Sequence, residues 1–175
     1  WAAGGQEANY AAYWRRIVGA LRTVSGQRFQ FDWTPLAGNV NANVEAAYPG
    51  DAYVDIIGLD AYDTSTVSTA DSVGRWNDQV NRPYGLKWQA TFAAAHGKPM
   101  SLPEWGLAVR KADGLGGGDN PSYITKMWMW IGAHDYLYTS YFEVDAVDAN
   151  HRLMTTQFPS GSAEYRRLVA GMGTT

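Results

Sequence analysis

Four runs of apolar and aromatic residues, each carrying an acid near its C-terminal end, constrain this chain more than any other feature. They are Arg28 to Pro35, Tyr53 to Asp60, Met100 to Glu104 and Tyr136 to Glu143. The clearest, Tyr53-Val54-Asp55-Ile56-Ile57-Gly58-Leu59-Asp60, is almost continuously apolar, as a parallel strand covered on both faces requires. Pro99 and Pro103 argue against helical turns around the third run, so Met100 to Pro103 reads as a buried strand whose last residue is Glu104. Helical periods alternate with these runs. Over Glu7 to Val24, Tyr10, Trp14, Ile17, Val18 and Leu21 share one face, with Arg15, Arg16 and Arg22 on the other. A short helical stretch is expected at Trp76 to Val80 and a longer one at Pro83 to Ala95. Asn120 is a candidate N-cap with Pro121 at the first helical position, opening a helix to about His134. Ser160 to Ala170 gives the last helix. Strand and helix in alternation imply parallel strands joined by right-handed crossovers.

Two architectures satisfy that order: a small open α/β sheet, or part of a (β/α)8 barrel. No glycine-rich phosphate loop follows the first strand, and Gly116-Gly117-Gly118 lacks the lysine and hydroxyl residue of a P-loop. The four acids, Asp32, Asp60, Glu104 and Glu143, favour the barrel, where strand C-termini form the rim at which chemistry is done. A glutamate at the end of an apolar strand is costly unless paired or exposed at such a rim. Taken alone, Glu104 reads equally as a structural acid that caps a helix or meets an arginine.

The 175 residues suit one domain, spanning 1–175. A net charge of -3 gives no electrostatic reason to expect nucleic acid or an anionic membrane. No apolar stretch approaches the roughly 20 residues of a membrane span. Cysteine is absent, which excludes disulfides and thiolate metal sites. His96, His134 and His151 are scattered without ligand spacing, so neither metal nor other cofactor is expected. The eight Trp and eleven Tyr exceed what a core of this size needs. Many stand beside Asp, Gly or Pro, which suits a carbohydrate surface or a protein interface. Trp1-Ala2-Ala3-Gly4-Gly5 has neither an initiator Met nor a signal core, and reads as a processed start or the start of a fragment.

Three segments carry a family resemblance: Tyr48-Pro49-Gly50-Asp51, Tyr53 through Tyr62, and Lys98-Pro99-Met100-Ser101-Leu102-Pro103-Glu104-Trp105-Gly106. In this order and spacing the chain resembles glycoside hydrolase family 26, the endo-β-mannanases of the large clan of (β/α)8 retaining glycosidases. The resemblance covers essentially the whole chain and the second half of the family's barrel, about strands 5–8. It implies a partial TIM barrel and a retaining endo-glycosidase acting on β-1,4-linked polysaccharide, most of all mannan, with β-glucan or xylan as alternative substrates. It implies Glu104 as nucleophile and Tyr62 as the hydroxyl that hydrogen-bonds it. Asp60 would hold the sugar beside the scissile bond.

The resemblance also makes Trp1 a sugar-stacking ring. Phe142 would replace a tryptophan of the eighth strand, and Glu143 would add a polar contact there. Asp32-Trp33-Thr34-Pro35 resembles a Trp-x-Pro segment, which makes Trp33 a candidate for the sugar. Trp105 reads equally as a packed ring and a stacking ring. The family's acid/base glutamate would lie upstream of Trp1, so the chain by itself is expected to be incomplete, needing an N-terminal half or self-associating. A carbohydrate-binding module built on the aromatic rim is the alternative from another class. Secretion is implied by the family and by a polymeric substrate.

Overall fold

The structure, a computed structural model, describes residues 4–38 and 40–172. Its centre is a parallel sheet made of short strands on four extended paths. The first path holds β1 (Asp32–Trp33), the second β2 (Ile56–Ile57) and β3 (Ala61–Tyr62), the third β4 (Met100–Gly106) and the fourth β6 (Tyr136–Tyr141). Asp32 pairs with Ile56, Ile57 with Met100, Tyr62 with Gly106 and Met100 with Tyr136, all in parallel. Gly58, Leu59 and Asp60 break the second path into two strands, yet their N–H groups still bond across to Trp33, Ser101 and Pro35 at 3.0–3.1 Å. Chain order and spatial order therefore coincide, as the alternation of strand and helix predicts. This is one wall of (β/α) repeats.

The third path departs from expectation in an informative way. β4 continues through Pro103 and Glu104 to Gly106. Leu102 and Trp105 both lie buried in the main core, three positions apart. Regular pleating would send two such residues to opposite faces. The register against β6 shifts between Leu102 and Trp105, which absorbs an extra residue. Pro103, which has no N–H to give the ladder, sits in that irregularity. Two apolar residues thus keep the core face while the segment between them is free to turn away.

Helices cover the face that carries Leu59, Ala61, Leu102 and Trp105. α3 (Leu86–His96) and α4 (Pro121–Ala133) supply Leu86, Tyr123, Ile124 and Met127 to the same core, and Trp76 and Val80 of α2 (Ser72–Asn81) pack against it. The Asn120 side chain accepts the Tyr123 N–H at 3.1 Å, with Pro121 in the first turn. Gly97 closes α3 at φ 61°, a left-handed turn that suits glycine. Gln89, fully buried on α3, donates to the Ile57 and Ser101 carbonyls at 3.0 and 2.8 Å and accepts from the Tyr136 hydroxyl at 3.0 Å. One amide side chain thereby ties three strand paths together. α1 (Glu7–Arg22) closes a smaller cluster that holds Trp33, Val54 and Ile57, and its Trp14 indole donates to the Tyr53 carbonyl at 2.9 Å.

One local reading changes, and two short elements come into view. The helix expected at Trp76 to Val80 is longer, because Asp71 caps it by accepting the Gly74 N–H at 2.7 Å. Glu45–Ala47 forms a 3₁₀ turn. The segments after β4 and after β6 pair with each other as an antiparallel ribbon, β5 (Val109–Arg110) with β7 (Ala149–Asn150). Two-residue strands this far apart carry no periodic signal. α5 (Pro159–Met172) then packs on α4.

Candidate active site

Asp60 and Glu104 become neighbours because Ala61 pairs with Trp105 in the parallel ladder, one step further along both strands. Both carboxyl groups are half-buried. The Tyr62 hydroxyl donates to Glu104 Oε2. Burial, followed by that hydrogen bond, pushes the Tyr62 phenol far above the ordinary tyrosine range, so it remains a donor. Its backbone is held from the helix side. The Tyr62 carbonyl accepts from Arg82 Nη2 at 2.9 Å, and the Ala61 carbonyl accepts from the Tyr123 hydroxyl at 2.8 Å.

Asp60 is the electrostatically unusual group. Its carboxyl is pushed up to about 7, first by burial, then by Glu104 and by Asp32, against the pull of the Glu104 backbone amide. Its Oδ1 is buried with no hydrogen-bond partner. Asp32 stands lower on the same inner face. Its carboxylate accepts from Thr34 Oγ1 at 2.9 Å, Ser101 Oγ at 2.5 Å and the Tyr138 hydroxyl at 2.6 Å.

Phe142 joins the site. Its ring meets the Tyr62 ring edge-on at 5.5 Å between centroids. His151 completes the group with its ring 4.7 Å from Tyr62 and 5.2 Å from Phe142. It is only 5% exposed. Its Nδ1 lies 2.8 Å from the Leu107 carbonyl, which can only accept, so Nδ1 carries the proton. Sequence reasoning found His151 without ligand spacing and missed this contact. No periodicity or motif flags a residue delivered by an irregular segment. Tyr62, Phe142 and His151 line a cavity of about 270 Å³ with Leu36 and Thr64.

The loop after β3 is pinned behind the site. Arg75 and Asp63 form an ion pair buried on both sides, and Arg75 also donates to the Ser65 and Val67 carbonyls at 2.9 and 2.6 Å. Asn120 Nδ2 reaches the other Asp63 oxygen at 2.7 Å. The polar stretch from Asp63 onward is therefore a fixed wall held by a buried ion pair.

Three candidates fall elsewhere. Trp105 is 2% exposed, with Tyr141 5.2 Å and Tyr165 6.3 Å from its ring, so it packs in the helix layer and presents no face to a sugar. The register shift in β4 is the cause, since it turns Trp105 to the core. Trp33 is also 2% exposed, edge-on to Tyr48 at 5.0 Å and packed against Phe92. Glu143 accepts the Leu153 and Met154 N–H groups at 2.7 and 2.8 Å, which makes it a clamp on the segment that carries His151. Trp1 lies outside the described residues. Among the described residues, no cluster of three or more His, Asp or Glu is gathered in metal-binding geometry.

Known proteins resemble this chain in sequence and fold. The model for glycosyl hydrolase family 26 matches residues 1–102. A mannan endo-1,4-beta-mannosidase of Bifidobacterium adolescentis is 31% identical over 114 residues, 63% of this chain and 11% of that protein. The modular endo-beta-1,4-mannanase of Cellulomonas fimi superposes with a TM-score of 0.65 and 28% identity, covering 97% of this chain and 36% of that one. A family 26 beta-mannanase of Bacteroides ovatus shares the fold at a TM-score of 0.55 and 17% identity, covering 93% of this chain and 44% of that one. The chain spans less than half the length of each.

Proposed function

Because the chain belongs to glycosyl hydrolase family 26, we propose that it acts as a retaining endo-glycosidase on β-1,4-linked mannan, with Glu104 as the nucleophile. The carrying observation is the hydrogen bond from Tyr62 to Glu104 Oε2. It leaves Oε1 to attack the anomeric carbon as the glycosidic C–O bond breaks. The leaving oxygen takes its proton from a general acid, and water then hydrolyses the glycosyl–enzyme ester. We assign that acid to none of the described carboxyl groups. Asp60 meets a hydroxyl of the sugar in the reacting position, and Phe142 offers it an apolar ring edge. The mannanase names of the relatives at 28% and 31% identity support mannan over other β-1,4-glycans. A polymeric substrate places the protein outside the cell.

A mannosyl or mannobiosyl probe with a 2-fluoro group and a good leaving group tests the nucleophile directly. Such a leaving group departs without acid help, so the first step depends on Glu104 and the sugar contacts. Mass spectrometry should find the label on Glu104, and Glu104→Ala should not be labelled. Labelling of another residue overturns the assignment. Tyr62→Phe should slow labelling by about 10–100-fold, the worth of a hydrogen bond to a charged group. An unchanged rate would remove Tyr62 from the chemistry.

A further inference from the structure

Beneath the Asp60 and Glu104 pair, the inner face of the sheet carries a polar layer where barrel interiors ordinarily hold branched apolar side chains. Its centre is Asp32. Three hydroxyls from three different segments converge on one carboxylate there, Thr34 beside β1, Ser101 on β4 and Tyr138 on β6. The layer fits only because position 58 is glycine. A Cβ there would overlap Thr34 Oγ1 and come within 2.6 Å of Asp32 Oδ1 and 3.0 Å of Ser101 Oγ. Gly58 is two residues before Asp60 on the same path and so faces the same side, about 7 Å away. That separation is inside the screening length of physiological salt.

We propose that Asp32 is a positioning residue for the sugar site: its hydroxyl-clamped negative charge, added to burial and to Glu104, tips Asp60 toward donating, not accepting, a hydrogen bond. The proposal rests on the reading of Asp60 as a sugar contact. The groups facing Asp60 are Asp32 from the first path, Tyr62 from its own, Glu104 from the third and Tyr138 from the fourth. All are acids or phenols. Among the described residues no cation acts on Asp60, and the buried guanidinium groups behind the site are engaged elsewhere, Arg82 with the Tyr62 carbonyl and Arg75 with Asp63. With three hydroxyls on Asp32 and Tyr62 on Glu104, Asp60 has no side-chain donor among the described residues: it meets the Glu104 backbone amide, and its Oδ1 has no partner. A proton resides there most cheaply, and a protonated carboxyl has an O–H to give.

Asp32→Asn keeps the shape and removes the charge. The Asp60 carboxyl is followed by ¹³C NMR, with Asp60→Asn identifying its resonance. In the native protein its midpoint is expected near pH 7. In Asp32→Asn it should fall by about one pH unit, a tenfold loss of proton affinity. Asp32→Ser gives the same reading if the amide is not tolerated. Calorimetry with a β-1,4-manno-oligosaccharide should show affinity falling as pH rises through the midpoint, and the fall should begin about one unit lower in the variant. An Asp60 midpoint unmoved by either substitution overturns the proposal. A shifted midpoint in a protein that binds no manno-oligosaccharide at any pH overturns the carbohydrate reading and leaves the control of Asp60 by Asp32 standing.

Discussion

Asp60 shows how a single residue can serve a site at the cost of stability. Its folded carboxyl is pushed up to about 7, against 3.8 for an ordinary aspartate. Below the lower value both folded and unfolded chains are protonated there, and the group is neutral toward folding. As pH rises from about 4 to about 7, only the unfolded chain releases the proton, so stability falls across that window. Above it the full penalty remains, of order 2–4 kcal/mol. Asp60→Asn should therefore raise the melting temperature at pH 8 and leave it nearly unchanged at pH 4, read from thermal unfolding across pH. Equal effects at both pH values would mean that burial of charge is not the cause. The strand-end positions of Asp60 and Glu104 were legible in the apolar runs, whereas the pairing of Tyr62 with Glu104 was expected only from the family resemblance. The Asp32 cluster was not legible, since Ser101 and Tyr138 reach it across sequence separations of 69 and 106 residues. Trp33 and Trp105 stayed undecided for a related reason. A tryptophan beside a polar strand end can face either side, and facing is settled by register.

Among the elements, β4 and the broken second path decide what the inner face presents. The alternation of strand and helix was readable from hydrophobic periods alone, and so was the parallel order. The register shift in β4 was not, because it is a property of the pairing between β4 and β6, with Pro103 as its one local sign. Gly58 is the corresponding feature of the second path. It lies outside the left-handed region, so its role is steric. Gly58→Ala would press a methyl group into Thr34 Oγ1 and Asp32 Oδ1 and force the polar layer apart. Overpacking of this kind costs about 1–3 kcal/mol. Urea unfolding should show a lower midpoint at an unchanged slope, since the surface exposed is the same. Adding Thr34→Ser, which opens only a methyl's worth of space, should not restore the loss, whereas Asp32→Ala should restore part of it. A Gly58→Ala protein as stable as the native one would show that the Asp32 layer is loose.

At the scale of the whole molecule, the sheet has two open sides. Among the described residues, β1 pairs only with β2, and β6 pairs only with β4. Both outer edges thus offer free backbone donors and acceptors, the usual template for edge-to-edge association. The side chains there do little to discourage it. Leu137 is 53% exposed and Tyr138 41%, and Phe29, leading into β1, is exposed as well. No lysine or proline interrupts Tyr136 to Tyr141. The sheet is parallel and ordered as the chain runs, so β6 of one copy can meet β1 of another without reversing either. This 175-residue chain is therefore expected to self-associate at micromolar to millimolar concentrations. Sedimentation velocity over a dilution series should show the weight-average mass rising with concentration. Leu137→Lys places a charge on the exposed edge and should shift the distribution toward monomer, with the fold retained by circular dichroism. A native chain that stays monomeric across the series would mean that its edges are protected by their own twist and hydration, and Leu137→Lys would then change nothing.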